Sequence, residues 1–389
     1  MNPGAPQGIT APAGFRASGV AAGLKASGGS DVALVVNDGP SKQAAAVFTS
    51  NRVAAAPVHW SRQVVSDGRV DAVILNSGGA NACTGAEGFG NTHATAEKTA
   101  EALGISATDV FVCSTGLIGE QLPMEKLLPG VDAAVAELDD DGGPAAAEAI
   151  RTTDSVRKEA IAVGAGYTLG GMAKGAGMLA PGLATMLVVL TTDADLDGRA
   201  LDAALREATR VTFDRTDADG CMSTNDTVVL LASGTSAVKP DTAEFTRTLT
   251  AVCQDLAQQL ITDAEGASHD IAITTVNAAS EEDAETVGRA VARSNLFKTA
   301  IFGQDPNWGR VLSAVGTTDA VFEPDELNVS INSVQICRNG GIGDSRDLVD
   351  LSDRKVTVEI DLNAGHDAAT IWTNDLTHEY VHENSAYSS

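Results

Sequence analysis

The sequence lacks every cysteine spacing that builds a metal knuckle or a disulfide scaffold. Its five cysteines are Cys83, Cys113, Cys221, Cys253 and Cys337, and no C-x-x-C pair occurs. Neither a structural zinc site nor a disulfide framework is indicated. It also lacks positive charge: 26 Lys+Arg stand against 52 Asp+Glu, for a net charge of −26. Such a surface repels polyanions, so neither nucleic acid nor a membrane surface is an expected partner. No apolar run reaches membrane-spanning length. The opening "MNPGAPQGITAPAGF" has no basic region followed by an apolar one, as a secretory signal has. A reducing cytoplasm is therefore the expected location.

Several catalytic signatures are missing too. No G-x-x-x-x-G-K-[ST] loop and no G-x-G-x-x-G turn is present, so nucleotide binding is unsupported. No G-x-S-x-G elbow appears, which removes support for a conventional Ser-His-Asp hydrolase. His378 and His382 are spaced i, i+4, but without the H-E-x-x-H order of zinc proteases. "DADLDGRALDAA" begins like a calcium loop at Asp193, Asp195, Asp197 and Gly198. Its twelfth position is Ala204 where a bidentate Glu belongs, so helix capping is the simpler reading. No metal and no cofactor is expected.

What is present reads as an ordinary globular chain. It has 389 residues, 43% of them hydrophobic, enough for two or three packed units. Short apolar runs at 31–38, 71–79, 109–119 and 227–234 predict buried strands. Helical spacing predicts helices over 91–103, 196–214, 243–266 and 284–303, with two pieces broken at "DDDGGP" between 130 and 155. Asn91 or Thr92 is the expected cap of the first, and Asp197 that of the second. Strands and helices mix without a regular βαβ alternation, which predicts an α+β fold with antiparallel sheets. The tail "ENSAYSS" is polar and by composition would fray.

One stretch does not fit a plain scaffold. "MAKGAGMLAPGLATMLVVLTTDA", residues 172–194, starts as a loop of small residues and becomes an apolar strand, with Thr185 at the seam. A Thr hydroxyl needs a base to become a nucleophile, and no His is near in sequence. The residue's own α-amino group can serve, provided Thr185 is an N-terminus. The Ala184–Thr185 bond would then have to be cut, by attack of the hydroxyl on its own preceding carbonyl and hydrolysis of the resulting ester.

These residues carry a resemblance that runs essentially end to end. "KGAGMLAPGLATML" (174–187), "NSGGANACTG" (76–85), "CSTGLIG" (113–119), "STND" (223–226), "DPNWGR" (305–310) and the terminal "YVHENSAYSS" occur in the order expected of the ornithine acetyltransferases. These are the bifunctional glutamate N-acetyltransferases of the cyclic arginine pathway. The resemblance implies Thr185 as nucleophile, cleavage at Ala184–Thr185, and Thr115 with Gly116 as the oxyanion hole. It implies substrate contacts from Thr152 (with Thr153 adjacent), Lys174, Thr185, Glu265, Asn384 and Ser389, and hence an ordered tail. It further implies acetyl transfer from N-acetylornithine to glutamate, with acetyl-CoA as a second donor in many members. The implied fold is a four-layer α/β/β/α sandwich with a smaller C-terminal α/β domain from about residue 245. The implied assembly is a heterotetramer of α chains (1–184) and β chains (185–389). The alternative within the same fold group is an amidase or aminopeptidase that passes the acyl group to water, whose members typically carry Ser at the cut. "NSGGANACTG" departs from the family at Gly79, where Asn is expected.

Overall fold

The computed structural model describes residues 8–178 and 186–386. Its first sheet has the order β1-β2-β4-β5, from β1 (Phe15–Val20), β2 (Val32–Asn37), β4 (Ala72–Ser77) and β5 (Val110–Thr115). The second has the order β3-β9-β8-β7-β6, from β3 (Gln43–Phe48), β6 (Lys158–Val163), β7 (Thr168–Lys174), β8 (Leu187–Thr192) and β9 (Thr227–Ala232). These two sheets face each other. Between them lie Val35, Leu75 and Phe111 from the first and Met172, Val189 and Leu231 from the second. Strands β2, β4, β5, β8 and β9 are buried along their whole lengths. Strands covered on both faces need apolar residues at every position, which is why they read as continuous runs.

The outer face of the first sheet is covered by α2 (Gly85–Leu103) and α3 (Met124–Ala136), which bury Ala96, Leu127 and Val131 against Val32, Leu34 and Ile74. Helix α1 (Ala56–Val64) guards edge strand β5, where the Ser61 hydroxyl donates to the Val112 carbonyl at 2.7 Å. Helix α4 (Gly143–Ala149) adds Ala146 and Ala147 to the inter-sheet core. The outer face of the second sheet is covered by α5 (Gly198–Arg210) and α6 (Thr242–Thr262), through Leu201, Leu205, Leu249 and Leu256. The layers therefore run α/β/β/α, and the pairs are mostly antiparallel, as expected.

A third sheet, order β13-β12-β11-β14-β10-β15, forms a smaller unit. It comprises β10 (Asp270–Ala278), β11 (Asn328–Ile331), β12 (Val334–Arg338), β13 (Gly341–Ile342), β14 (Lys355–Asp361) and β15 (Asp367–Asn374). Helices α7 (Glu281–Ala292), α8 (Asn295–Phe302) and α9 (Trp308–Val315) share its core, and α10 (His378–Ala386) follows β15. This core draws on residues from Ile271 onward, whereas Phe245 to Leu260 of α6 belong to the sandwich.

Three local expectations differ from the structure. Helix α2 begins at Gly85, before Asn91, in a glycine-rich stretch that reads as loop; of its glycines Gly88 is a packing residue, where a Cβ would meet the Thr84 Oγ1 at 1.8 Å. The helix expected over 284–303 is two, since the Ser294 hydroxyl caps a new start by accepting the Phe297 N–H. Residues 172–174 are strand rather than loop. They end β7, whose Gly170 and Gly171 admit close neighbours: a Cβ on Gly170 would meet the Gly8 carbonyl at 2.0 Å. Asp197 caps α5 as expected, accepting the Ala200 N–H at 2.9 Å.

Candidate active site

The register of the second sheet brings three strand ends into one row. Lys174, the last residue of β7, pairs with Leu187, the first of β8, and Leu187 pairs with Thr227, the first of β9. Facing this row, β5 of the first sheet ends at Thr115. Asn225 stitches the two sheets there. Its amide donates to the Ala80 carbonyl at 2.6 Å and to the Ser114 carbonyl at 2.8 Å. The Ser114 hydroxyl donates in turn to Asn76 at 2.6 Å. The "NSGGAN", "CSTG" and "STND" motifs thus meet at one end of the sandwich.

At this end lies a cavity of about 270 Å³. Thr115, Gly116, Thr152, Lys174, Glu265 and Asn384 all line it. These are the six expected site residues that fall within the described chain. Ala184, Thr185 and Ser389 lie outside the described residues. Met186, which follows Thr185 in sequence, donates its N–H to Asp226 Oδ1 at 2.9 Å. A larger open groove, of about 1040 Å³, runs between β3 and α5 and contains none of the expected residues.

The chemistry of each group follows from its partners. Lys174 is 1% exposed, and its Nζ donates to Thr115 Oγ1 at 3.2 Å. With its oxygen engaged, the Thr115 hydroxyl has its own proton left to donate. Gly116 sits at φ +130°, a conformation suited to glycine, and its N–H meets no acceptor among the described residues. A Cβ there would meet the Gly79 nitrogen at 2.5 Å. Gly79 itself donates its N–H to the Thr115 carbonyl at 3.0 Å, and a Cβ on it would press on Leu122 at 2.7 Å. The small residue at position 79 therefore fits the turn that presents two donors, a hydroxyl and an N–H, to the cavity.

Opposite stands Glu265, 8% exposed. Its Oε1 accepts the Thr153 hydroxyl at 2.7 Å, and its Oε2 accepts the Asn384 amide at 2.9 Å. Gly177 lies flat against this carboxylate, where a Cβ would meet Oε2 at 2.4 Å. Thr153 rather than Thr152 makes the hydroxyl contact, while Thr152 gives its N–H to Asp154 at 3.0 Å. Asn384 comes from α10, so the tail is helical up to Ala386. The cavity thus offers a buried ammonium, a carboxylate and two neutral donors. Those groups suit a substrate with both a carboxylate and an ammonium, and an oxyanion formed between them.

Two buried acids here escaped the sequence reading. Asp154 belongs to a "TTDS" that reads as loop. Asp226 belongs to "STND", a motif with no role attached. Asp226 is fully buried, and its Oδ2 has no hydrogen-bond partner among the described residues. Burial pushes its carboxyl well above the usual 3.8, against the opposing pull of the Met186 N–H, Ser223 and Lys174. A carboxyl raised in the folded state favours folding fully below 3.8. That contribution is lost as pH rises toward the folded value. Asp226→Asn, which cannot ionise, should therefore melt increasingly above wild type as pH rises from 4 to 8, as thermal scans at each pH would show. A constant difference across that range would contradict the buried neutral carboxyl.

The chain matches the ArgJ family over residues 16–389. It is 65% identical over 381 residues to the arginine biosynthesis bifunctional protein ArgJ of Streptomyces coelicolor, covering 98% of this chain and 100% of that one. It is 67% identical to the protein of the same name in Thermobifida fusca, with the same coverage. Among solved structures, an ornithine acetyltransferase complexed with ornithine from Mycobacterium tuberculosis is 55% identical. That match covers 46% of this chain and 96% of the other, with a TM-score of 0.43. The arginine biosynthesis bifunctional protein argJ of Bacillus halodurans is 32% identical, covering 51% and 97%, with a TM-score of 0.47.

Proposed function

The chain belongs to the ArgJ family, acyltransferases of arginine biosynthesis, and from that premise we propose how this molecule moves an acetyl group. Thr185 attacks the carbonyl of Ala184, the peptide becomes an ester, and water releases an α chain (1–184) and a β chain (185–389). The freed α-amino group of Thr185 is then the base. It takes the hydroxyl proton as the oxygen attacks the acetyl carbonyl of N-acetylornithine. Thr115 and Gly116 donate to the resulting oxyanion. Collapse expels ornithine, whose amine receives the proton, and leaves acetyl-Thr185. Glutamate then attacks in the same cradle and departs as N-acetylglutamate.

Both substrates carry an α-carboxylate, so one set of anchors serves both half-reactions. Lys174 meets that carboxylate. Glu265 suits an ammonium, while Thr152, Asn384 and Ser389 complete the contacts. No metal or cofactor takes part in these steps, and acetyl-CoA is a candidate second donor. Paired α and β chains would remain interleaved, because β8 is hydrogen-bonded to β7 on the other side of the cut. A heterotetramer of two each in the cytoplasm is the proposed form.

The observation that carries this reading is the single cavity shared by Thr115, Gly116, Lys174, Glu265 and Asn384, residues from four distant segments. The test is product identification with N-acetylornithine, with and without glutamate. N-acetylglutamate should form in step with ornithine, and omission of glutamate should stop turnover after one equivalent. Steady release of free acetate instead would mean that water is the acceptor.

A further inference from the structure

Asp154 sits in the loop that leaves α4, with its side chain fully buried. Its Oδ1 accepts the Gly175 N–H at 2.6 Å and the Lys158 ammonium at 2.6 Å. Its Oδ2 accepts the Thr152 N–H at 3.0 Å. Lys158, equally buried, reaches on to Asp263 Oδ2 at 2.6 Å, and Asp263 accepts the Ser155 N–H at 3.0 Å. One buried network therefore ties together the loop at 151–155, the end of β7 and the turn after α6. Those three segments carry Thr152 and Thr153, Lys174, and Glu265.

We propose that Asp154 is a positioning residue for acyl transfer: its buried carboxylate holds the Gly175 N–H, fixes the strand end that presents Lys174 to the substrate carboxylate, and places a negative charge on that side of the cavity. The inference rests on the reading above that Lys174 anchors that carboxylate. Within the described chain Lys174 has only the Thr115 hydroxyl as a hydrogen-bond acceptor, which alone does not balance a buried charge. Four ionisable groups face it. Asp154 comes from the loop, Lys158 from β6, Asp226 from the entrance to β9, and Glu265 from the turn after α6. Burial lowers the Lys174 pKa; Asp154 opposes this most strongly, Lys158 adds to the lowering, and Glu265 opposes it more weakly. Burial acts to raise the Asp154 carboxyl, but Lys174 and Lys158 outweigh it and hold it below the usual range. Asp154 thus stays a carboxylate at neutral pH and supplies the strongest charge that opposes the effect of burial on Lys174.

Lys158 and Asp154 belong to the same network but act on Lys174 with opposite signs. A merely structural role cannot reproduce that difference. The experiment is the pH profile of kcat/KM for acylation of the cleaved, full-length enzyme by N-acetylglutamate, a donor with no titrating amine. Asp154→Asn should move the alkaline limb to lower pH by about one unit or more, with the loss carried by KM. Lys158→Met should move the limb to higher pH. Alkaline limbs that stay with wild type in either soluble variant, or that move the same way in both, overturn the proposal. If Asp154→Asn does not fold, the upward shift in Lys158→Met decides alone. Wild-type enzyme that fails to be acylated at any pH would instead strike at the acetyl-transfer reading itself.

Discussion

Thr185→Ala yields one chain of 39.7 kDa that neither splits nor transfers acetyl groups. Two separate losses produce this result. Without the hydroxyl, no ester forms at Ala184, so the backbone nitrogen at 185 stays an amide and never becomes a base. The nucleophile is missing as well. Removing a nucleophile that works as a unit with its base costs on the order of 10⁴-fold or more in kcat. Thr185→Ser separates the two losses: a hydroxyl remains, so cleavage and transfer should both survive at reduced rate. The checks are the intact mass after prolonged incubation and the rate of ornithine release. An uncleaved Thr185→Ala protein with wild-type turnover would remove Thr185 from the chemistry.

Thr115→Val should be the next most damaging change. Valine keeps the β-branched shape that ends β5 inside a packed strand, so the fold should hold. The variant loses the hydroxyl that faces the cavity. One oxyanion donor is worth about 2.7–4 kcal/mol, or roughly 10²–10³ in kcat. Lys174 also loses the hydroxyl oxygen that its Nζ donates to at 3.2 Å, so the damage should reach KM as well. Thr115→Ser should restore most of the rate. A Thr115→Val enzyme within a few-fold of wild type in steady-state kinetics would leave the oxyanion to other donors.

Much of this molecule was legible in its residues, for physical reasons that differ by element. Strands β4, β5 and β9 are sandwiched on both faces, so their apolar runs stand out. Asp197 caps α5 from a position where a short acceptor side chain is the natural choice. Strand β7 was harder. Its "TLGG" looks like a turn, because the glycines serve close approach by Gly8 and by Leu190 and Leu256 rather than chain reversal. Helix α6 was seen, but its place was not: its amphipathic face is compatible with either sheet, and only the tertiary arrangement assigns it to the sandwich.

The site divides in the same way. Thr115, Gly116 and Lys174 belong to motifs whose order along the chain is distinctive. Asp154 has no such mark, and Asp226 closes the "STND" motif without any residue pattern that assigns it a role. A lone Asp beside Thr or Asn reads as a turn former, and its importance comes from complete burial beside Lys174, which only folding creates. Glu265 and Asn384 lie 119 positions apart, and no periodicity links them. Their contact depends on α10 folding back over the turn that follows α6.

The central claim is that the hydroxyl at 185 gains its base by cutting its own chain. Its most direct test is intact mass spectrometry of the protein mixed with N-acetylornithine alone, followed by glutamate. The account predicts two chains, the second starting at Thr185. That second chain should gain one acetyl group with the donor and lose it on addition of glutamate. A single full-length chain that still turns over, or an acetyl group carried anywhere but on residue 185, would contradict it.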